Sequence, residues 1–520
     1  MYYGGYTEYP PPSPGEPPII NREDVAAAVR KLKYGKNDGD AGYSSNHLLF
    51  ASAEYYEHVA LLFTAMYIHG HQHEVLIRGT ICSIPKDTNK SLQDGANYRG
   101  ICLCSAISKI LEIVFVKRNS RFMKTSDMQY AFKKGMGTTT CSHMLKEVVK
   151  YYRSRGSQVY CCYLDATKAF DRLRFDKLFE ILLQSGIGFP DLRLLLDAYK
   201  RQQVRATWRG SASPYFNVEC GIRQGGIASP TLFCMYLDRL LVRLKEAGDG
   251  CWIGPRYFGC LAYADDITLM SPTREGLQRM LRECEIYCNW SDLKFNASKS
   301  MAMVFGANGD TDSLAMLNDS PIQRVDRARH LGNIISDDLQ EAGEIEKKKG
   351  DMIGRTNLLC ASFRHLSLEA RNRLFHLQCC HMYGCQAWDL RNRSIPAFIT
   401  CYNRCARRVL HVSQRTHRRL LPVLTGFKPC LDRIVALSAK HIESMKCCPN
   451  ENVNFFANAF VNDMNTIVGG NHHYISNYEP YNATMMEVVT GGAIVELLAD
   501  PPAGFTKEEA LTMANWLCVN

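Results

Sequence analysis

The sequence predicts an α+β fold, strand-bearing in its first half, then mostly helical, then closing in an acidic tail. Three observations carry this. Short apolar runs rich in β-favouring residues, such as Val159–Leu164, alternate with helical periodicity through the middle of the chain. Cys260–Ala264 and Ile267–Met270 are predicted as two short strands joined at Asp265-Asp266, a hairpin with two carboxylates at its tip. Residues 340–446 are predicted to be mostly helical, and the basic residues then stop abruptly.

The elements follow in order. Pro10-Pro11-Pro12, Pro14, Pro17 and Pro18 make residues 1–18 a stiff, unfolded lead-in. From Ile19 a helix is expected, capped by Asn21, with Val25, Val29 and Leu32 at helical spacing. Gly35 to Gly42 must be loop. Thr80–Ile84 is predicted as a strand ending at Pro85, and Tyr98 to Arg118 as a loop entering a helix. After Asp165 a helix-like stretch runs through Leu183. Ser229 is the expected N-cap of a helix with Pro230 at its first position. Phe233, Leu237, Leu240, Leu241 and Leu244 trace its buried face, and Gly248 stops it. No internal repeat is visible.

The 520 residues leave room for two to four domains. No apolar run approaches the roughly 20 residues that span a bilayer. The first 18 residues hold tyrosines and prolines rather than a secretory pattern, so an intracellular protein with no membrane partner is expected, nucleus and cytoplasm undistinguished. Charge is unevenly placed. Residues 447–520 carry one basic residue, Lys507, and eight acidic ones, leaving 61 basic and 44 acidic residues in 1–446. The body is therefore near +17 and the tail near −7. Such a body suits a polyanionic partner, and equally a merely soluble basic protein. The 22 cysteines, many in apolar runs such as Cys161-Cys162 and Cys379-Cys380, point to reduced thiols used as small hydrophobes. No pair of CxxC motifs appears. His69, His71 and His73 alternate, but Gly70 interrupts them and a solvated loop is the better account than a metal site.

A strand-end carboxylate, Asp165, and the pair Asp265-Asp266 lie 100 positions apart. Carboxylates brought from separate strands to one point hold pairs of divalent ions, the requirement of nucleotidyl transfer. Adjacent strand residues point to opposite faces, so a kink at the hairpin tip is needed to aim both aspartates at one place. Taken alone, an Asp-Asp pair more often marks a solvated turn.

The flanking residues say more. Tyr163-Leu164-Asp165-Ala166-Thr167-Lys168-Ala169-Phe170-Asp171 resembles the first palm motif of non-LTR retrotransposon reverse transcriptases, and Tyr263-Ala264-Asp265-Asp266 resembles their YADD box. Between them, Gly221-Ile222-Arg223-Gln224-Gly225-Gly226-Ile227-Ala228-Ser229-Pro230 is similar to their GxRQGxxxSP motif. Upstream, Ile84-Pro85-Lys86 and Asn97-Tyr98-Arg99-Gly100-Ile101 resemble finger motifs, and Gln129 to Gly135 the motif after them. Downstream, Lys294-Phe295-Asn296 to Lys299 and His330-Leu331-Gly332 resemble later palm motifs. Tyr383-Gly384, Trp388 and Arg415-Thr416-His417 resemble the segment beyond. The likeness runs from about 19 to 446 in the family's order and spacing.

That resemblance implies a right-hand polymerase: fingers and palm over 19–310, with an antiparallel palm sheet packed on helices, a helical thumb and connection region over 311–446, and the acidic tail at 447–520. It implies an RNA-directed DNA polymerase acting on an RNA template and a DNA primer with dNTPs, and two Mg²⁺ ions, with Mn²⁺ as a substitute. Asp165, Asp265 and, less directly, Asp266 would ligate the metals, with the Ala166 carbonyl facing one of them. Phe170 matches the aromatic gate against a 2′ hydroxyl; the alternative is an ordinary core residue. Arg99 matches the arginine that grips the triphosphate with its planar guanidinium. Gln224 matches the residue lining the nucleotide sugar, beside glycines that let backbone approach the primer-template. Lys299 matches a lysine that protonates the leaving pyrophosphate, or is a solvated charge near a strand. Arg404, Arg407, Arg408, Arg415, Arg418 and Arg419 fall where the family lays helices along the duplex; the alternative is a solvated helical face.

Departures are few. Thr167 stands where serine is commoner, and Ala228 where larger aliphatics are usual. The family's active elements usually carry an endonuclease ahead of the polymerase, whereas about 20 residues precede the start of the likeness here. Either the chain is a piece of a longer protein or a separate endonuclease must nick the target. The tail has no convincing zinc knuckle or RNase H pattern.

Overall fold

The computed structural model describes residues 16–36, 42, 44–306 and 315–457. The lead-in up to residue 15, and the tail beyond residue 457, lie outside the described residues. Six strands matter to the site: β1 (Arg78–Pro85), β2 (Tyr98–Cys104), β3 (Val159–Leu164), β4 (Gln203–Trp208), β5 (Cys260–Tyr263) and β6 (Asp266–Ser271). The fold class is the expected α+β.

The described chain divides into two compact units. The first holds residues 1–132, 161–302 and 312–323, the second 133–160, 303–311 and 324–520. These do not follow the expected boundary at 310/311. Residues 133–160 join the second unit because helix Thr138–Arg153 turns its polar buried face to that unit's later residues. Lys146 pairs with Glu341 at 2.9 Å, and Ser142 Oγ meets His330 Nδ1 at 3.2 Å. A charge buried with its partner is costly to break, which ties the segments together.

In the first unit, β1 runs antiparallel to β2 and parallel to β4, while Ser211–Ala212 and Phe216–Asn217 add short antiparallel pairings to β4. In a second sheet β6 lies between β5 and β3, and β5–β6 is an antiparallel hairpin with Asp266 opposite Tyr263. Helices Arg22–Val29, Ala53–His69 and Ala106–Asn119 bury Val25, Val29, Phe63, Tyr67, Ile110 and Val114 against one another. As expected, Asn21 caps the first of these, accepting the Asp24 N–H at 2.8 Å. Helix Ser229–Glu246 buries Phe233, Leu237, Leu240, Leu241 and Leu244, the face its spacing predicted. Each such side chain contributes about 1.5–3 kcal/mol on leaving water.

Four local expectations need correcting. Tyr98–Cys104 is a strand rather than a loop; Cys102 and Cys104 are its buried side chains, and cysteine is a weak strand signal. The helix-like stretch after Asp165 is two helices, Ala169–Arg172 and Phe175–Gln184, parted where the fully buried Leu173 turns extended. Ser229 is the first helical residue and not the cap; Ala228 holds the cap position. His69 ends a helix instead of starting a loop. His71 faces Asp197 at 3.5 Å, and His73 accepts the Val75 N–H, so the three histidines serve different neighbours.

The second unit is mostly helical, as expected for 340–446, with helices Ala342–Ser362, Leu368–Leu374, Ile395–Leu410 and Cys430–Lys446. Its core gathers Ile345, Met352, Phe375, Trp388, Phe398 and Ile434, with Trp388 edge-on to Phe398 at 5.3 Å. Among the described residues no helix is long and apolar enough to cross a membrane.

Candidate active site

Asp165 follows directly on β3, and its backbone is clamped from the segment 294–300. Its N–H donates to Ser300 Oγ at 3.1 Å and its carbonyl accepts the Asn296 N–H at 2.9 Å. Thr167 N–H donates to the Lys294 carbonyl at 2.8 Å, and Ala166 bridges Phe295. The Lys294-Phe295-Asn296 motif thus fixes where the first aspartate stands, leaving its half-buried carboxylate free of that task.

The other two aspartates sit at the β5–β6 tip. The kink that the alternation rule demands is present: Ala264 has φ +57°, a left-handed conformation rare for alanine. Gln129, with no exposed surface, brackets that residue. Its Oε1 accepts the Ala264 N–H at 3.0 Å and its Nε2 donates to the Ala264 carbonyl at 3.4 Å. Tyr130 N–H donates to Ala262 O at 2.8 Å, lacing the same segment along β5.

The three carboxylates act on one another electrostatically. Burial pushes the Asp265 carboxyl above the usual carboxylate range and the Asp165 charge adds to this, while its backbone hydrogen bond and Arg99 pull the other way. Asp266 reaches solvent at the rim, yet the protein mass around its carboxyl, with the charges of Asp265 and Asp165, pushes it up to about 6. Among the described residues none of the three makes a salt bridge, so the cluster is negative charge without a bonded counter-ion. Nor do three or more His, Cys, Asp or Glu side chains close into a ready-made cage among those residues. Unbridged carboxylates suit hard divalent ions, which bind oxygen ligands and complete their shells with water and substrate phosphate.

Arg99 lies on β2 opposite Ile84, exposed, with its charge felt at Asp265. Phe170, half-buried, stacks on Phe233, ring centroids 4.3 Å apart and planes at 15°, which fixes the plane of its ring. Gln224 Nε2 donates to Asp171 Oδ1 at 3.0 Å, and the Gln224 carbonyl accepts the Cys102 N–H at 2.8 Å. Next to it Gly225 has φ +142°, and a Cβ there would stand 2.2 Å from the Cys102 carbonyl oxygen. The glycine therefore makes room for the backbone of β2, a nearer need than the one the sequence suggested. Lys299 is exposed and makes no salt bridge with a described residue. Asp165, Asp265, Asp266 and Arg99 are thus brought within electrostatic reach, while Phe170 and Gln224 are linked to one turn through Phe233 and Asp171. Gln129 and Asp171 lie inside quoted motifs but were given no role there, and Glu112 and Ser300 were missed; nothing in the spacing of these last two distinguishes them from ordinary polar residues.

In the second unit the arginines divide. Arg404, Arg408, Arg415 and Arg418 are exposed, whereas Arg407 Nε donates to the Thr416 carbonyl at 2.9 Å. That bond braces the turn after Ile395–Leu410, and burial and Arg404 lower the Arg407 guanidinium below its ordinary range.

Residues 84–349, just over half of the chain, match the family described as reverse transcriptase (RNA-dependent DNA polymerase). The chain belongs to the reverse transcriptase family. Members of the family use divalent metal ions, in keeping with the carboxylate cluster. The chain is 26% identical, over 44% of its length and 22% of theirs, to the Pol polyprotein of a type-1 retrotransposable element R2 from Nasonia vitripennis. It is 23% identical to a probable RNA-directed DNA polymerase from transposon X-element of Drosophila melanogaster, over 60% of the chain and 35% of that protein. It is 22% identical to the Pol polyprotein of a type-1 retrotransposable element R1 from Bradysia coprophila, over 79% and 42%. The chain thus spans between about a fifth and two fifths of the length of these curated relatives. The resemblance to non-LTR retrotransposon reverse transcriptases is borne out.

Proposed function

We propose that this chain is an RNA-directed DNA polymerase of a non-LTR retroelement, adding dNTPs to a DNA 3′ end on an RNA template. The observation that carries it is the mutual electrostatic action of Asp165, Asp265 and Asp266, without a salt bridge to a described residue and with Arg99 acting on Asp265. Asp165 and Asp265, with Asp266 less directly and the Ala166 carbonyl beside them, would hold two Mg²⁺ ions, Mn²⁺ serving as a substitute. Bound there, such ions make the 3′ hydroxyl nucleophilic and neutralise charge on the leaving pyrophosphate.

The chain's own residues do the rest. Arg99 forks the triphosphate oxygens. Gln224, its amide oriented by Asp171, lines the sugar. Phe170, backed by Phe233, blocks a 2′ hydroxyl. Lys299 gives a proton to pyrophosphate as it departs. Arg404, Arg408, Arg415, Arg418 and Arg419 meet phosphates without regard to sequence, with Arg407 bracing them. Nicking of a target would fall to a separate endonuclease or to a further part of a longer protein.

The test is extension of oligo(dT) on poly(rA) by dTTP and Mg²⁺. The full chain should extend and Asp165→Asn should not; equal extension by both would overturn the assignment.

A further inference from the structure

Helix Ser229–Glu246 begins without a cap of its own, because Ala228 offers no side-chain acceptor. Its first turn leaves backbone N–H groups open. The N–H groups of the two residues just before it are met from a different helix. Glu112, on Ala106–Asn119, sets Oε2 against the N–H groups of Ile227 and Ala228, the latter at 3.0 Å. The carboxylate also crowds Gly226, where a Cβ would lie 3.2 Å from Oε2 and 2.6 Å from Ser229 Oγ. A negative group at this end both satisfies orphan donors and faces the positive end of the helix dipole.

The stretch so held is the one that carries Gln224. Its front is fixed by Arg223, which donates to the Ile77 carbonyl at 2.7 Å and to Gln202 Oε1 at 2.8 Å. Its middle is fixed by the Gln224 carbonyl on Cys102 N–H. The turn closes with Gly226 N–H on the Arg223 carbonyl at 3.1 Å. With a glycine at 225 and another at 226, that one hydrogen bond is the turn's own restraint on the approach to Ile227 among those described. Glu112 adds a restraint from outside the turn.

We propose that Glu112 is a positioning residue for nucleotide selection: by anchoring Ile227 and Ala228 it holds the Gln224 turn against β2 and keeps the Gln224 amide aimed at the sugar. This rests on the polymerase function proposed above. Glu112 lies outside every motif that the family resemblance supplied, and it acts through Gln224 rather than on substrate.

Single-nucleotide incorporation by the full chain, with KM and kcat measured separately for a dNTP and its rNTP, tests it, alongside amide hydrogen exchange over residues 224–228. Glu112→Ala should raise the dNTP KM by about tenfold, the equal of about 1.4 kcal/mol, with kcat changed less and the dNTP preference narrowed. Glu112→Gln keeps an acceptor oxygen and should recover most of the loss. Exchange over 224–228 should quicken by about tenfold or more in Glu112→Ala, with the β5–β6 amides unchanged as the control for global unfolding. Wild-type KM together with wild-type exchange in the alanine variant overturns the proposal, as does failure of glutamine to rescue. Should Glu112→Ala not fold, Glu112→Asp, one methylene short, must move KM and exchange in the same direction or the proposal fails. If the wild-type chain incorporates nothing, the polymerase function falls instead, and exchange still decides whether Glu112 holds the turn.

Discussion

Gln129 and Ala264 clasp each other through two hydrogen bonds, Ala264 N–H to Oε1 at 3.0 Å and Nε2 to the Ala264 carbonyl at 3.4 Å. Ala264 is the residue whose φ of +57° turns the chain immediately before Asp265. A left-handed alanine costs about 1–2 kcal/mol, and the buried amide offsets that cost at the place where the carboxylates must be aimed.

Removing the clasp should therefore act on the chemistry more than on binding. Gln129→Ala is expected to lower kcat by between about 10- and 100-fold, the usual effect of displacing a reacting group by an ångström, and to cost about 1–3 kcal/mol of stability through unsatisfied backbone groups. Affinity for an RNA–DNA hybrid should stay within about twofold, since counterion release at distant phosphates is untouched. Steady-state kinetics beside hybrid titration checks this; an unchanged kcat in a folded variant would contradict it.

The carboxylate cluster makes stability depend on pH. Asp266 in the folded chain titrates near 6, above its ordinary 3.8, so between those values the folded state binds a proton that the unfolded chain has released. Stability must fall as pH rises through that window, and the penalty stands in full above about 6. In metal-free buffer Asp266→Asn should melt higher than wild type at pH 7.5 and no higher at pH 4. Mg²⁺ should raise the melting temperature of wild type more than that of the variant. Parallel melting curves for the two chains across this range would refute the account.

Phe170 owes its orientation to Phe233, stacked at 4.3 Å. Phe170→Ala should increase rNTP incorporation relative to dNTP, and Phe233→Ala should do so more weakly by letting the ring tilt. Competitive incorporation of a dNTP and its rNTP measures both ratios. A Phe170→Ala ratio equal to wild type would make this phenylalanine a core residue and no gate.

What could be seen in the sequence was whatever depends on local pattern. Val159–Leu164 is a strand with those bounds, the β5–β6 hairpin lies within a residue of its expected ends, and the buried face of Ser229–Glu246 is the one its spacing marks. The charges of the three aspartates that the flanking words singled out act on one another. What escaped depends on partners distant in the chain. Gln129 meets Ala264 across 135 positions, Glu112 meets Ile227 across 115, and Asp165 leans on Ser300 across another 135. None of these polar residues has a periodicity that betrays its partner. β2 was lost because alternating cysteines hide a strand, and residues 133–160 changed unit because a buried Lys146–Glu341 pair outweighs adjacency in the chain.

The central claim is that the Asp265-Asp266 tip, opposite Asp165, performs metal-dependent DNA synthesis on RNA. Primer extension on poly(rA)/oligo(dT) with Mg²⁺, comparing the wild-type chain with Asp265→Asn/Asp266→Asn, measures it most directly. The rate should fall by about a thousandfold or more in the double variant, the scale of losing charge stabilisation built for a transition state, while the chain stays folded and still binds the hybrid. Extension by the double variant at the wild-type rate would contradict the claim.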